Sequence, residues 1–402
     1  MKKDPMFPDI STSLEDILRE GARKLLQQAI ENEVIDFLER HAHKKDENDK
    51  RIVKRNGYSP ERDIQTGIGP IPIKQPRIRG EQFTSAILPK YLRRLPSIEA
   101  LIPALYLKGV STGNMEEALT AILGKNAQGL SATNIVRLKQ VWEKEYEEWQ
   151  KRDLSLEHFV YLWADGIYFN VRLSEERPCL LVLIGARADG SKRLLAIHDG
   201  IRERKLSWKE VLQDLKSRGL SVNPKLATGD GALGFWAALE EEFPGCRHQR
   251  CWVHKTANIL DKLPKSIQIN AKKLIHEMYM SPTREKGFKA LDQFLNLYKA
   301  KYPKACDCLE KDKHKLFTFY DFPAEHWQHL RTTNPIESTF SSIRHRSKQT
   351  KGCGSRMATL SLVFKLAKEV EKRWQRLKCS QLIEKVICGI KFKDGEEVKE
   401  AT

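Results

Sequence analysis

The sequence predicts an α/β protein in which helices cover a mixed sheet and a mostly helical region precedes that sheet. Two continuous apolar runs, FVYLWA at 159–164 and CLLVLIGA at 179–186, are typical of strands buried on both faces. A third apolar run at 193–198 follows an Asp-Gly turn, which predicts antiparallel pairing. Helix and strand patterns then alternate, as expected when helices cover a sheet.

The region before the sheet has helical periodicity at both of its ends. Apolar residues from Leu14 to Leu38 predict a helix that ends near His41. Alternation with Gly and Pro over 63–73 predicts short, exposed strands. Helical patterns on both sides of a Gly-containing break make residues 112–142 a candidate helix-turn-helix. Any two packed helices give this pattern, so a purely structural interpretation stays open.

The later elements follow in a regular order. The pattern predicts a helix over 206–216, a strand over 225–228, a helix over 231–243 and a short strand near 250–253. From about residue 254 onwards, it predicts only helices.

The composition limits the classes of function. The 402 residues are enough for two or three domains, and 40% hydrophobic residues exclude wholesale disorder. A formal net charge of +17 indicates a polyanionic partner, with nucleic acid ahead of acidic lipid. Because no apolar run approaches the roughly 18 residues of a membrane span, and no signal-peptide core follows Met1, we expect a soluble, unprocessed protein.

Cysteine and histidine cluster in one segment only. The eight cysteines are too sparse for a disulfide framework, so we expect reduced thiols. Cys246, His248, Cys251 and His254 could bind zinc, but their spacing is too tight for a finger or ribbon. We therefore expect no zinc. The alternative is that Cys251 and His254 brace the fold.

Two acidic residues follow predicted buried strands. Asp165 closes the first apolar run and Asp230 follows the fourth strand. Both are followed by Gly, and Asp-Gly pairs are common in turns, so a structural role is a strong alternative. A carboxylate at a buried strand end is costly unless a cation compensates it. Two such ends side by side would suit Mg²⁺ or Mn²⁺.

Glu337 is the candidate for a third acid. It lies in the segment LRTTNPIESTF at 330–340, where Asn334 suits a helix N-cap and Pro335 the first helical position. Glu337 then falls where a capping box has its acid. Helix capping and metal binding both remain open at this point.

Four segments together resemble the mutator-type bacterial insertion-sequence transposases, which have an Asp-Asp-Glu catalytic triad. They are WADGIYFNVR at 163–172, GDGALGFW at 229–236, QRCWVHK at 249–255 with Asn258, and LRTTNPIESTF at 330–340. RNGY at 55–58, the 71–79 segment, GLSAT at 129–133 and the stretch around Trp149 also look like the family. The resemblance covers roughly residues 12–378. Asn170 and Gly166 depart from the commoner residues, but neither is a proposed ligand.

The resemblance implies a ribonuclease-H-like core interrupted by a helical insertion. The core would comprise 151–260 and 331–378, the insertion 261–330, the DNA-binding or oligomerisation region 1–150, and a tail 379–402. Asp165, Asp230 and Glu337 would be the metal-binding triad. Cys251 and His254 would be the family's Cys-x-x-His pair.

The implied reaction is phosphodiester cleavage at the ends of the element, followed by joining of the 3′-hydroxyl to target DNA. Two Mg²⁺ or Mn²⁺ ions would activate the nucleophile and stabilise the leaving oxygen. The expected partners are element-end inverted repeats, target DNA and further copies of the chain at the bacterial nucleoid in the cytoplasm. Residues 338–378 carry eleven basic and two acidic side chains, so we expect phosphate contacts there. The candidate DNA-contact residues are Lys255, Arg331, Arg344, Arg346, Lys348 and Lys351.

Two other classes of function remain possible from the sequence. One is a metal-dependent nuclease that cannot transfer strands. The other is a non-catalytic DNA-binding protein derived from a transposase.

Overall fold

The computed structural model describes residues 14–111, 113–123, 132–168, 179–200, 203–231, 233–349 and 355–398. The chain divides into two compact units, Met1–Leu138 and Lys139–Thr402. The division falls within a long helix, whereas the sequence suggests a boundary at residue 150.

The first unit combines helices with two small antiparallel sheets. Its elements are α1 (Leu14–Arg40), β1 (Lys54–Tyr58), β2 (Arg62–Thr66), β3 (Gly69–Ile73), β4 (Pro76–Arg79), α2 (Pro96–Lys108) and α3 (Met115–Leu123). β1 pairs with β4, and β2 with β3. Ile30 of α1 packs with Ile64, Ile71 and Leu88 in one apolar cluster, which explains why so short a sheet is stable. The helix expected to end near His41 is confirmed.

The candidate helix-turn-helix is described only in part. α3 and α4 (Ala132–Gln150) are the two expected helices, and α4 continues beyond the expected end at residue 142. The break between them, 124–131, lies outside the described residues. The motif therefore stays a prediction.

A mixed five-stranded sheet forms the centre of the second unit. Its strands are β5 (Phe159–Tyr168), β6 (Cys179–Arg187), β7 (Lys192–Gly200), β8 (Leu226–Gly229) and β9 (Arg247–Arg250). They lie in the order β7-β6-β5-β8-β9. The first three strands pair antiparallel, and β8 and β9 run parallel to β5. This confirms the predicted mixed α/β architecture.

Helices cover both faces of this sheet. α5 (Lys205–Ser217) and α6 (Leu233–Glu242) bury Trp208 and Phe235 against Leu162 and Ala164 of β5. Because side chains alternate along a strand, Tyr161, Trp163 and Asp165 point to the opposite face. There, the Tyr161 hydroxyl lies 3.0 Å from Nδ1 of the buried His326.

Helices and turns occupy most of the remaining chain. They are α7 (Trp252–Leu260), α8 (Lys265–Met280), α9 (Arg284–Tyr298), α10 (Pro303–Lys311), α11 (Lys313–Leu316), α12 (Trp327–Leu330), α13 (Asn334–Gln349), α14 (Arg356–Glu371) and α15 (Gln381–Ile387). α13 contacts β5, and α14 contacts β7. No helix within the described ranges is long and apolar enough to cross a bilayer.

Four expectations about elements need correction. The strands expected to be exposed over 63–73 bury Ile64, Ile71 and Ile73 in the apolar cluster with α1. The strand expected near 250–253 is β9, which ends at Arg250, because Cys251 is the residue before α7. β5 continues three residues beyond Asp165, since Asp165 still pairs with Val182 of β6. The segment expected as a tail folds into α15 and a hairpin of β10 (Phe392–Lys393) and β11 (Glu396–Glu397). Each hairpin strand is only two residues long, too short to show a pattern.

Candidate active site

The sheet register places Asp165 and Asp230 next to each other. β5 and β8 run parallel, and their last paired residues are Ala164 and Gly229. Asp165 follows Ala164 in β5, and Asp230 follows Gly229 directly after β8. Both acids therefore lie at the same level on neighbouring strands. Neighbouring strands lie roughly 4.8 Å apart. The two carboxylates therefore share one edge of the sheet.

The same row of residues continues to Cys251. Gly229 pairs with Arg250 across β8 and β9, and the Cys251 N–H donates to the Gly229 carbonyl at 2.8 Å. Cys251 also ends the extended backbone, so α7 begins beside the acids and brings His254 towards them. His254 Nε2 lies 3.9 Å from Asp165 Oδ2.

Side chains of the sheet hold the segment that leads to Glu337. The Trp163 indole N–H donates to the His329 carbonyl at 2.9 Å. The Thr228 hydroxyl donates to the Leu330 carbonyl at 2.8 Å. Both side chains alternate with the residues that face α5 and α6, so they emerge on the same face as Asp165. The start of α13 is thereby tied to β5 and β8.

Thr333 connects Glu337 to the rest of the site. Its N–H donates to Cys251 Sγ at 3.4 Å, and its hydroxyl lies 3.4 Å from Glu337 Oε1 and 3.5 Å from His254 Nδ1. One ligand atom each from Cys251, His254 and Glu337 lie within 4.8 Å of one another. Glu337 is thus brought to the sheet edge through contacts with residues far away in sequence.

The contacts of Glu337 do not form the capping box that its spacing suggests. α13 begins at Asn334, so Glu337 is its fourth residue and not the third, and the Asn334 N–H donates to the Thr332 hydroxyl oxygen at 3.4 Å instead of to Glu337. The Glu337 N–H donates to the Thr333 carbonyl at 3.0 Å, as in an ordinary first turn. The carboxylate is therefore not used to cap the backbone of this helix.

Asp165 carries an energetically costly charge. Only 5% of the surface of Asp165 is exposed to solvent. Burial, with the nearby charges of Asp230 and Glu337, raises the pKa of Asp165 to about 7, although His254 acts in the opposite direction. A carboxylate with this environment favours a bound cation. The carboxylate oxygens of the site are the donors that Mg²⁺ and Mn²⁺ prefer, so these residues fit a divalent-ion site.

Within the described residues, the three acids do not form one cluster with oxygens within 4.8 Å of one another. A site for two ions about 3.5–4 Å apart allows different carboxylates to contact different ions. The wider spacing is compatible with that arrangement.

His254 is the cation nearest to the acids. A hydrogen bond with Cys251 raises the pKa of His254 to about 9, against the opposing effect of burial and with further contributions from the carboxylates of Asp165 and Asp230. This raised pKa favours the protonated imidazole, which would offset part of the acidic charge. The structure places Cys251 and His254 beside the acids, and their bracing role stays a prediction.

The structure adds Glu203, which the sequence did not single out. It lies just before α5, and burial together with the charges of Asp230 and Asp165 raises the pKa of Glu203 to about 7. Its segment carries no strand or helix signal that would place it at the sheet edge. Only the tertiary fold brings it close to the acids.

Arg250 is a second residue that the sequence analysis missed. Its guanidinium packs against Gly231, where an added Cβ would lie 2.3 Å from Nε, and Gly231 has a φ of +91°. Arg250 Nη1 also donates to the Gly229 carbonyl at 3.3 Å. Gly231, the residue after Asp230, thus packs directly against a buried cation.

The four possible zinc ligands of the 246–254 segment are not brought together. His248 stacks on Trp236, with ring centroids 4.6 Å apart, and Cys246 is buried. Among the described residues, the group that clusters with Cys251 and His254 is Glu337. The absence of zinc stays a prediction. If zinc is found, the third ligand would be Glu337 and not Cys246 or His248.

Two of the candidate DNA-contact residues point into the protein. The Lys255 side chain is 3% exposed and donates to Asp312 at 2.6 Å. The Arg331 guanidinium donates to the Tyr279 and Trp327 carbonyls and packs over the Phe319 ring. Both cations therefore already have partners within the fold, and their DNA contacts stay a prediction.

The other candidates lie on or after α13. Arg344 is exposed and packs near the Phe340 ring. Nothing is described of the side chains of Arg346 and Lys348, and Lys351 lies outside the described residues. Several basic residues of this region form ion pairs within the unit, namely Arg356, Lys365, Lys368 and Lys372. The local charge surplus thus overstates how many cations are free for DNA.

Comparison with known families shows which family matches this chain. The family model described as "Transposase, Mutator family" matches residues 6–377. This range contains the three acids, Cys251 and His254.

Individual relatives of this chain are also named as transposases for insertion sequence elements. The chain is 49% identical to the transposase for insertion sequence element IST2 of Acidithiobacillus ferrooxidans over 281 residues, which is 70% of this chain and 95% of the relative. It is 47% identical to the transposase for insertion sequence element IS6120 of Mycolicibacterium smegmatis over 302 residues, 75% of this chain and 93% of the relative. A more distant relative, the transposase for insertion sequence element ISRM5 of Rhizobium meliloti, is 28% identical over 91% of this chain and 90% of its own length.

Proposed function

The chain belongs to the Mutator family of transposases, and its function is that of an insertion-sequence transposase. From this premise, we propose that it cuts phosphodiester bonds at the ends of its own element and joins the resulting 3′-hydroxyl to target DNA. We further propose that Asp165, Asp230 and Glu337 bind the divalent ions for both steps.

One observation carries this proposal: the β5–β8 register sets Asp165 beside Asp230, and Thr333 links Glu337 to the same edge. Turn formation alone would not explain Asp165, because it lies inside a strand and is buried. Capping alone would not explain Glu337, because its carboxylate bonds to the Thr333 hydroxyl and not to a free helix N–H. Both structural alternatives are therefore weaker than they are from sequence.

Each residue of the site has a separate role in the proposed reaction. When bound, Mg²⁺ or Mn²⁺ ions would polarise the attacking oxygen and stabilise the leaving oxygen during in-line displacement. Asp165 and Asp230 would hold the ions at the sheet edge, and Glu337 would complete the site from α13. His254, whose pKa is raised, would balance charge beside Asp165 and help to attract the DNA backbone.

The domain roles are part of the same proposal. Three antiparallel strands followed by two parallel ones support a ribonuclease-H-like core, with α8 to α12 as the helical insertion at 261–330. Residues 1–150 would provide end recognition, and the exposed Arg344 a phosphate contact. We expect the chain to act as an oligomer on element-end and target DNA at the bacterial nucleoid, because joining two ends requires two sites.

An assay with labelled 3′-hydroxyl element-end DNA and a plasmid target tests this function. Joined product in Mg²⁺ supports the transposase proposal. Nicking without joined product would favour a nuclease, and binding without either reaction would favour a non-catalytic DNA-binding protein. Element ends with a scrambled sequence serve as the control for specificity.

A further inference from the structure

The β1–β4 ribbon, made of Lys54–Tyr58 and Pro76–Arg79, forms a two-stranded sheet of its own. Its nine residues include four basic side chains and no acidic one. All five residues of β1 are exposed, as are Arg77 and Arg79 of β4. The ribbon is therefore a basic surface of the first unit.

One face of the ribbon packs against α1. Arg55 forms an ion pair with Glu31 of α1 at 2.9 Å, and the Tyr58 hydroxyl donates to the same carboxylate at 2.8 Å. Across the strands, Arg55 pairs with Ile78 and Tyr58 with Pro76, and the register shifts between these two pairs. The shift keeps both side chains on the same face. The cation of this inner face thus has an acidic partner within the unit.

The opposite, outer face carries Lys54, Arg77 and Arg79. Lys54 pairs directly with Arg79, one position before the Arg55–Ile78 pair, so both side chains point away from α1. Within the described part of the chain, neither Lys54 nor Arg79 forms an ion pair. Like charges directly opposite each other on paired strands are destabilising. An anion bound to this outer face would remove the repulsion.

Protection of the sheet edges would not require this arrangement. Charged side chains on edge strands prevent pairing with other sheets, but a charge of either sign serves that purpose. An acid at either position would avoid the repulsion between Lys54 and Arg79. Cations alone on one face instead match the phosphates of nucleic acid.

A groove of about 320 Å³ borders β4 beside these cations. Asn56, Gln82 and Lys90 line it together with Arg77. Asn, Gln, Lys and Arg side chains all donate hydrogen bonds to phosphate oxygens in protein–DNA interfaces. The groove therefore adds further donors for phosphate to the basic face.

We propose that the outer face of the β1–β4 ribbon binds the phosphate backbone of duplex DNA, with Lys54 and Arg79 as contacts. A two-stranded ribbon fits the major groove of B-DNA, which is about 12 Å wide. Both strands of the ribbon would then bring a cation close to the phosphates along the groove. This proposal rests on the proposed function, because it takes DNA as the partner of residues 1–150.

The salt dependence of DNA binding gives the direct test. Fluorescence anisotropy measures binding of the full-length protein to a labelled element-end duplex between about 50 and 200 mM salt. Each phosphate contact contributes about 0.9 to the slope of log affinity against log salt. The double variant Lys54→Gln with Arg79→Gln should lose two contacts. Across this range, the wild-type affinity should therefore fall about tenfold more than the affinity of the variant.

The matched control is Lys272→Gln with Lys273→Gln, which removes the same charge from exposed positions on α8. Its salt slope should equal that of wild type. If the control loses as much slope as the ribbon variant, total charge explains the effect and the proposal is overturned. A wild-type slope in the ribbon variant overturns it as well.

A charge reversal tests whether Lys54 serves only the structure of the ribbon. Lys54→Glu places an acid opposite Arg79, so the cross-strand pair becomes favourable. We expect this variant to melt no lower than wild type in the absence of DNA and to bind the duplex more weakly. Because stability and DNA affinity move in different directions, unfolding cannot explain the weaker binding. Wild-type affinity in a folded Lys54→Glu variant would contradict the proposal.

The wild-type protein separates this proposal from the proposed function. If it cuts and joins element ends while the ribbon variant keeps the wild-type salt slope, only the role of the ribbon is wrong. If it binds the duplex through the ribbon but neither cuts nor joins in Mg²⁺, the proposed function fails and the role of the ribbon stands.

Discussion

The sheet edge with Asp165 and Asp230 and the helix with Glu337 position their acids by different means. At the sheet edge, the backbone register of β5 and β8 sets the two acids side by side. Glu337 on α13 is instead positioned by hydrogen bonds from the side chains of Trp163, Thr228 and Thr333. An acid placed by register is insensitive to a single side-chain loss elsewhere. An acid placed by side chains depends on each of them.

The largest effect is expected for Asp165→Asn at the sheet edge. The change removes a metal-binding charge, and we expect joining to fall by about a thousandfold or more, which corresponds to about 4 kcal/mol in the barrier. In EDTA at pH 8, the same variant should melt at a higher temperature than wild type. A gain of about 1 kcal/mol would correspond to roughly 2–4 °C. Calorimetric melting and the joining assay measure both outcomes.

The pH dependence of this gain follows from the pKa of Asp165, which rises from 3.8 to about 7 on folding. Between these values, the folded chain keeps a proton that the unfolded chain has released. The metal-free wild type should therefore lose stability as the pH rises from about 4 to 7. Asp292→Asn, at an exposed site on α9, is the control and should melt like wild type. An Asp165→Asn variant that melts below wild type at pH 8 would contradict this explanation.

A smaller effect is expected when one support of Glu337 is removed. Thr228→Val deletes the donor to the Leu330 carbonyl, which should cost about 1–3 kcal/mol of stability. We also expect joining to fall by about tenfold, because the start of α13 is no longer tied to β8. Urea unfolding and the joining assay measure the two effects.

Thr359→Val is the matched control for that variant. Thr359 is equally buried, and its hydroxyl also donates to a carbonyl, that of Ser355, at 2.8 Å. The Ser355 carbonyl already accepts the Thr359 N–H, so it stays bonded when the hydroxyl is lost. If Thr359→Val reduces joining as much as Thr228→Val does, the tie between β8 and α13 is not what positions Glu337.

The smallest effect is expected at Thr333. Thr333→Val removes the hydroxyl beside Glu337 but keeps the N–H that bonds to Cys251. A lost hydrogen bond of about 1 kcal/mol would slow joining by about fivefold. Thr333→Ser retains the hydroxyl and should restore most of the rate. Equal rates for the Val and Ser variants would show that this hydroxyl does not position Glu337.

The same contrast explains what the sequence could predict. Apolar runs reveal buried strands, so the sheet and the two acids after its apolar runs are visible in the sequence. The exact strand ends are harder to predict. β5 continues past Asp165 because β6 is long enough to pair with it there. Glu203 and Arg250 could not be found, because both reach the acids by packing against glycines that are distant in sequence.

The sequence does not separate basic residues that could contact DNA from basic residues that pack within the fold. A basic side chain has the same appearance in the sequence whether it faces phosphate or a buried partner. Lys255 is paired with Asp312, 57 positions away, and Arg331 bonds to carbonyls of the helical segment. Net charge therefore indicates the class of partner but does not identify the individual contacts.

Glu337→Gln is the most direct test of the central claim, that Glu337 is the third metal-binding acid and not a helix cap. Gln has the same size and can still accept a bond from the Thr333 hydroxyl, so melting in EDTA should be unchanged. Element-end binding in a gel-shift assay should also be retained, while cleavage and joining in Mg²⁺ are lost. Joining by Glu337→Gln at a near wild-type rate would contradict the claim, and the third ligand would have to be sought elsewhere.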